Sequence, residues 1–174
     1  LVVNITKALA WDAEETRLFA RAIHGHPTIT SFVVDRNFPY ESLDVLYSTL
    51  AILLALESIR LCRRQTRPED ESALAHPESL TELLRIPSLR SVCFHDFFFT
   101  SSLCQAAANA FMEGGVAFTA FEFRNCSFST AECAAMMANG LGRITSVVSI
   151  KVASVGEAFN SALAAALPSN STLH

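Results

Sequence analysis

At 174 residues, with 51% hydrophobic and 17% charged residues and a net charge of −4, the chain has material for one well-buried domain. That balance excludes an intrinsically disordered chain and argues against general binding of nucleic-acid phosphates. The longest apolar run, Leu50 to Leu56, is seven residues against the about 20 that span a bilayer, so no membrane insertion is expected.

The chain opens on LVVNITKALAW, with no basic start and no apolar run of signal-peptide length. It has no initiator Met, which points to a piece of a longer protein. Val2 and Ile5 are in phase with a strand pattern found further on, and Lys7 is its misfit. From about Asp12 to His24 the spacing predicts an amphipathic helix with Leu18, Phe19, Ala22 and Ile23 on one face. Asp12 is the expected N-cap, with Glu15 at the capping-box distance, and Gly25 and Pro27 stop the helix. The His24 to His26 segment, HGH, reads as an ordinary connection and not a ligand pair.

The next element, ITSFVVDRN, has apolar residues at Ile29, Phe32 and Val34, closed by Asn37, and this template recurs. LESIRLCRR carries Leu56, Ile59 and Leu61; LRSVCFHDF carries Leu89, Val92 and Phe94. FTAFEFRNC carries Phe118, Phe121, Phe123 and then Cys126, and VVSIKVASV carries Val147, Ile150, Val152 and Val155. The first apolar positions, 29, 56, 89, 118 and 147, are spaced by 27, 33, 29 and 29 residues. Helical patterns lie between them, in ESLDVLYSTLAILLAL, SSLCQAAANAFMEGG, TAECAAMMANGLG and GEAFNSALAAALPSN. The longest unit holds its extra residues in a polar segment at 63–79, a secondary contact loop, before a helix around Leu80 to Arg85. The basic run Arg60 to Arg67 is followed at once by PEDE and reads as solvated loop.

Strands such as LRSVCFHDF, FTAFEFRNC and ITSFVVDRN, each followed by an Ala-rich helix such as AECAAMMANG, resemble the ribonuclease-inhibitor-like class of leucine-rich repeat proteins. A period in the high twenties fits that class. The resemblance implies a right-handed α/β solenoid, a horseshoe arc with a parallel sheet on the concave side and helices on the convex side. It covers about Val2 to Leu173 as a single domain of five to six repeats, with strands near 2–7, 29–35, 56–62, 89–95, 118–124 and 147–153. With no cap after Leu173, the domain is expected to be a fragment of a longer array. The class consists mostly of protein-binding scaffolds, with a GTPase-activating branch for which Arg36, Arg63, Arg64 and Arg124 qualify by residue type alone.

Side chains alternate across a strand, so residues between the apolar positions face the concave side. They form three columns: Ser31, Ser58, Ser91, Ala120, Ser149; then Val33, Arg60, Cys93, Glu122, Lys151; then Asp35, Cys62, His95, Arg124, Ala153. Glu122 stands beside Lys151 as an expected surface ion pair. The candidate protein-binding surface is Asp35, Arg60, Cys62, Cys93, His95, Glu122, Arg124 and Lys151. The aromatic strand Phe118 to Phe128 superficially matches base-stacking sheets, but register turns Phe118, Phe121 and Phe123 inward, with Phe128 also toward the core.

Cys62 beside His95 has the residue types of a nucleophile and its base, but Asp35 lies on the wrong side to orient His95. Asp35, Cys62, Cys93 and His95 are the right ligand types for a metal, from strands too regular to close a tetrahedron. No enzymatic activity, no metal and no cofactor are therefore expected, and the partner is another protein, not nucleic acid. The alternative is a structural subunit of a large assembly. Five dispersed cysteines without a CxxC pair point to reduced thiols and an intracellular location, the cytoplasm or another reducing compartment. Cys104 and Cys133, each fifteen residues into its repeat, read as equivalent core positions.

Overall fold

In the computed structural model, which describes residues 1–5, 11–34, 38, 42–62, 77–112 and 117–167, strands and helices alternate along the chain. Strand β1 (Val2–Ile5) leads to helix α1 (Ala13–Ile23), β2 (Ser31–Val34), α2 (Leu43–Ala51), β3 (Ser58–Cys62) and α3 (Pro77–Leu84). There follow β4 (Ser91–His95), the short β5 (Phe98–Phe99), α4 (Ser101–Met112), β6 (Ala120–Arg124), the short β7 (Ser127–Phe128), α5 (Ala131–Gly142), β8 (Ser149–Ala153) and α6 (Glu157–Ala166). The six longer strands form one parallel sheet in the order β1-β2-β3-β4-β6-β8, and β5 pairs with β7 in parallel beside it.

Five of the long strands begin two residues after the first apolar position of their unit. That residue is fully buried in each, at Ile29, Leu56, Leu89, Phe118 and Val147. Backbone bonds just before the strands align successive units: Glu57 N donates to Thr30 O (2.8 Å), Arg90 N to Glu57 O (2.8 Å), Thr119 N to Arg90 O (2.8 Å) and Val148 N to Thr119 O (3.0 Å). The apolar strand positions turn toward the helices, which pack side by side over one face of the sheet; the opposite face carries half-buried and exposed positions, apart from Cys93, which is buried.

The core between these layers is built around phenylalanine. Phe118, Phe121 and Phe123 are at most 1% exposed, so the rings point inward as register requires. Phe123 lies 5.6 Å from Phe94 and 5.1 Å from Phe159, while Phe128 stacks between Phe99 (5.1 Å) and Phe159 (5.0 Å). The sequence leaves one feature of this core unannounced. Asp96, Asn125 and Ser154, each the residue after a long strand, adopt left-handed backbone with φ of 53°, 55° and 54°. Asp and Asn tolerate that conformation better than most residues. The turn sends the next residue inward: Phe97 and Cys126 are buried and Val155 half-buried. Asn125 N donates to Ala153 O at 2.8 Å and Asp96 N to Arg124 O at 2.9 Å, carrying the pairing past the strand ends.

Helix α1 forms as its caps dictate. The Asp12 side chain accepts from the backbone of Glu14 and Glu15, and Glu15 Oε2 accepts from Asp12 N at 3.0 Å, completing the capping box. Gly25 ends the segment with φ of 62°. Removing the box with Asp12→Ala should cost about 1 kcal/mol; a urea titration against wild type reads it, and a loss below a few tenths would mean that α1 is held by packing alone.

Three expectations change. The buried stripe of α1 is Thr16, Ala20 and Ile23 with Phe19 half-buried, whereas Leu18 is 55% exposed and Ala22 is also outside. Thr16 can occupy the core face because its hydroxyl donates to Asp12 O at 3.0 Å; Trp11 and Phe32 pack on Phe19 at ring separations of 5.0 and 6.0 Å. In β1, Val2 pairs with Ser31 and Ile5 with Val34, so the strand sits two residues out of the expected phase. A two-residue slip preserves facing, and it gives the inward places to Val3 and Ile5; Lys7 lies outside the described residues. Of the 63–79 segment, 63–76 also lies outside them, and 77–79 is the first turn of α3, with Pro77 at the position where proline suits a helix start. There the Ser79 hydroxyl donates to the Asp44 carboxylate of α2.

Candidate protein-binding face

The sheet face that no helix among the described residues covers carries the columns read from the sequence. Ser31, Ser58, Ser91, Ala120 and Ser149 are successive register partners, as are Val33, Arg60, Cys93, Glu122 and Lys151. The third column runs Cys62, His95, Arg124 and Ala153. Asp35, its expected first member, lies outside the described residues, as do Arg36, Arg63 and Arg64.

The small first column is half-buried throughout, so a partner approaching there would meet backbone more than side chain. The second and third columns form one polar cluster. Arg124 Nε donates to Glu122 Oε1 at 2.5 Å, and the Glu122 side chain is only 19% exposed while that of Arg124 is 58% exposed. Burial alone would raise the Glu122 carboxyl, but the hydrogen bond and charge of Arg124, with help from the Cys93 thiol and Arg60, hold it below the ordinary carboxylate range. The ion pair thus joins residues two apart on one strand, not Glu122 to its neighbour Lys151. A guanidinium two residues on lies on the same face and offers Nε as a directed donor, which the flexible ammonium of Lys151 lacks.

Cys93 is 7% exposed, flanked in register by Arg60 and Glu122, so it supports the surface and adds little contact area of its own. Burial first, then the Glu122 carboxylate, pushes its thiol up, against a smaller pull from Arg60. Arg60, Arg124 and Lys151 are exposed and Cys62 and His95 half-buried. The Cys62 Sγ lies 3.8 Å from His95 Nδ1, and His95 Nε2 lies 3.8 Å from Asp96 Oδ1, which also accepts from Asn125 Nδ2 at 2.8 Å. Sequence reasoning looked for a carboxylate behind His95 at Asp35 and missed Asp96, the adjacent residue, because an extended backbone would send it to the opposite face. The left-handed turn at Asp96 brings it back. Among the described residues no three His, Cys, Asp or Glu side chains converge as a metal site would require. Among them, too, no helix is long and apolar enough to cross a membrane.

No protein-family model matches the chain, and no curated protein matches it in sequence. Solved structures do. The tropomodulin C-terminal domain of Caenorhabditis elegans is similar at 16% identity and a TM-score of 0.60, over 92% of this chain and 93% of that one. Leiomodin-1 actin-binding site 2 is similar at 12% identity and a TM-score of 0.63, over 92% and 90% of the two chains. At such identities the likeness concerns the fold.

These neighbours correct the resemblance drawn from the sequence. The likeness the fold carries is to tropomodulin and leiomodin domains, and it replaces the ribonuclease-inhibitor-like leucine-rich repeat class together with the solenoid, horseshoe and scaffold labels attached to it. The physical reason is that a spacing near 29 residues reports strand and helix alternating at fixed length, and any chain built that way shows it. The residues specific to the proposed class were sparse: Phe and Val fill many apolar places, and only Asn37 and Cys126 match its usual closing residue.

Proposed function

We propose that this chain is a protein-binding domain without enzymatic activity, and that it docks a protein partner on the open face of its sheet. The observation that carries the reading is the in-register polar cluster of Arg60, His95, Glu122 and Arg124 on a face that no helix among the described residues covers. One structural neighbour supplies the first candidate: leiomodin-1 is represented by an actin-binding site. Actin is therefore the partner to test first. Exposed arginines beside a half-buried carboxylate suit an acidic, hydrogen-bonding surface on that partner.

The test uses the purified chain with monomeric and filamentous actin, by calorimetry and co-sedimentation. Binding is expected, and Arg60→Ala, His95→Ala and Arg124→Ala combined should weaken it at least about tenfold, the scale of a lost interface hot spot. Binding unchanged in the triple variant removes the open face as the site. Absence of binding to either form of actin removes actin and moves the same triple variant to partners captured by affinity.

A further inference from the structure

The five cysteines are not equivalent. Cys93, Cys104, Cys126 and Cys133 are buried, and Cys62 alone is half-exposed. It stands at the C-terminal end of β3, where register places it opposite His95 at the end of β4. Backbone pairing therefore holds the two groups together, with Cys62 Sγ 3.8 Å from His95 Nδ1. The imidazole, 40% exposed, has the Asp96 carboxylate 3.8 Å from its other nitrogen, and Asn125 Nδ2 fixes that carboxylate at 2.8 Å. Thiol, base and carboxylate thus lie in sequence along an open face, the order in which a thiol is activated for attack.

We propose that Cys62 is a covalent modification site for small disulfides, with His95 as the base that takes its proton. As Cys62 Sγ forms a bond to one sulfur of the disulfide, the S–S bond breaks and the second sulfur leaves as a thiolate. The Cys62 proton passes to His95 Nδ1, and the departing thiolate takes it up. The balance is one thiol and one disulfide in, one mixed disulfide and one thiol out. Asp96 stabilises the imidazolium formed on the way. This inference does not depend on the partner reading, because it concerns the reaction of the free chain.

Cys133 is the competitor. Its burial would raise the thiol, but the hydroxyls of Ser101, Ser129 and Thr130, each 3.3 Å from Sγ, outweigh that and lower it. It is 3% exposed, however, and a disulfide reagent needs a line of attack on the sulfur. The remaining thiols are further protected by burial, which pushes Cys126 up to about 12.

The experiment incubates the intact chain with limiting glutathione disulfide and locates the adduct by peptide mass mapping over time. A first adduct at Cys62, abolished by Cys62→Ser, is expected. His95→Gln keeps bulk and hydrogen bonding but cannot take the proton, and should slow the adduct at least about tenfold, the low end of general-base effects. Should that variant fold poorly, His95→Ala with added imidazole replaces it, and the imidazole should restore the rate. A first adduct at Cys133, or a Cys62 rate indifferent both to loss of His95 and to added imidazole, overturns the proposal.

Discussion

Phe123→Ala should remove about 3–5 kcal/mol of stability, the range for emptying a buried aromatic site. The ring is fully buried and stands at a junction: Phe94 at 5.6 Å on the neighbouring strand β4, Phe121 at 6.3 Å on its own, Phe99 of β5 at 6.4 Å, and Phe159 of α6 at 5.1 Å. These partners come from four separate elements, so no single side-chain shift can refill the space. Domains of this size are stable by only about 5–15 kcal/mol, so the variant should be near its folding threshold. Urea denaturation followed by far-UV and near-UV circular dichroism measures the loss. Phe128→Ala, at a half-buried ring, should cost visibly less. A Phe123→Ala cost under about 1 kcal/mol would mean that the ring faces solvent, and would reopen the base-stacking reading of this strand.

The same strand shows why the fold was largely legible. Side-chain facing follows a period of two, and the apolar positions of five segments share one spacing, so facing and register could be read together. Ser58, Ser91, Ala120 and Ser149 fall into register as their spacing required. Legibility failed where a different rule governs. The phase of β1 escaped because a two-residue slip keeps Ile5 on the core face, although it moves Val2 from an apolar place to the open face, where it is 66% exposed. The Glu122 partner escaped because column neighbours were weighed and same-strand neighbours were not. Asp96 escaped because its place depends on a positive φ, which no side-chain pattern announces. The likeness to these solved structures escaped for a further reason. Spacing constrains how long each unit is, while a resemblance in sequence rests on which residues fill the places, and at 12–16% identity few of those are shared.

Gly142→Val should destabilise the chain by more than helix propensity can account for, and Gly142→Ala tests the sign. Gly142 ends α5, where a β-carbon would lie 2.9 Å from both the Cβ and the carbonyl oxygen of Ala166, the last residue of α6. Propensity alone favours alanine over glycine in a helix by about 1 kcal/mol. The contact opposes it: two of the three nearest atoms are backbone, which cannot rotate away, and overpacking of this kind costs about 1–3 kcal/mol. The alanine variant should therefore lose stability, and the valine variant, with two more carbons and a smaller propensity gain than alanine, should lose several kcal/mol. Gly140 supplies the contrast within the same helix. A β-carbon there meets the Phe111 ring edge at 3.2 Å and no backbone atom closer than 3.4 Å, so Gly140→Ala should cost less than Gly142→Ala. Since Phe159 of α6 closes the aromatic core over Phe123 and Phe128, prising α6 from α5 should also loosen those rings. Limited proteolysis should then cut within α6 before the rest of the chain, at a denaturant midpoint below that of wild type. If Gly142→Ala instead stabilises the protein, α5 and α6 are not in backbone contact at this point.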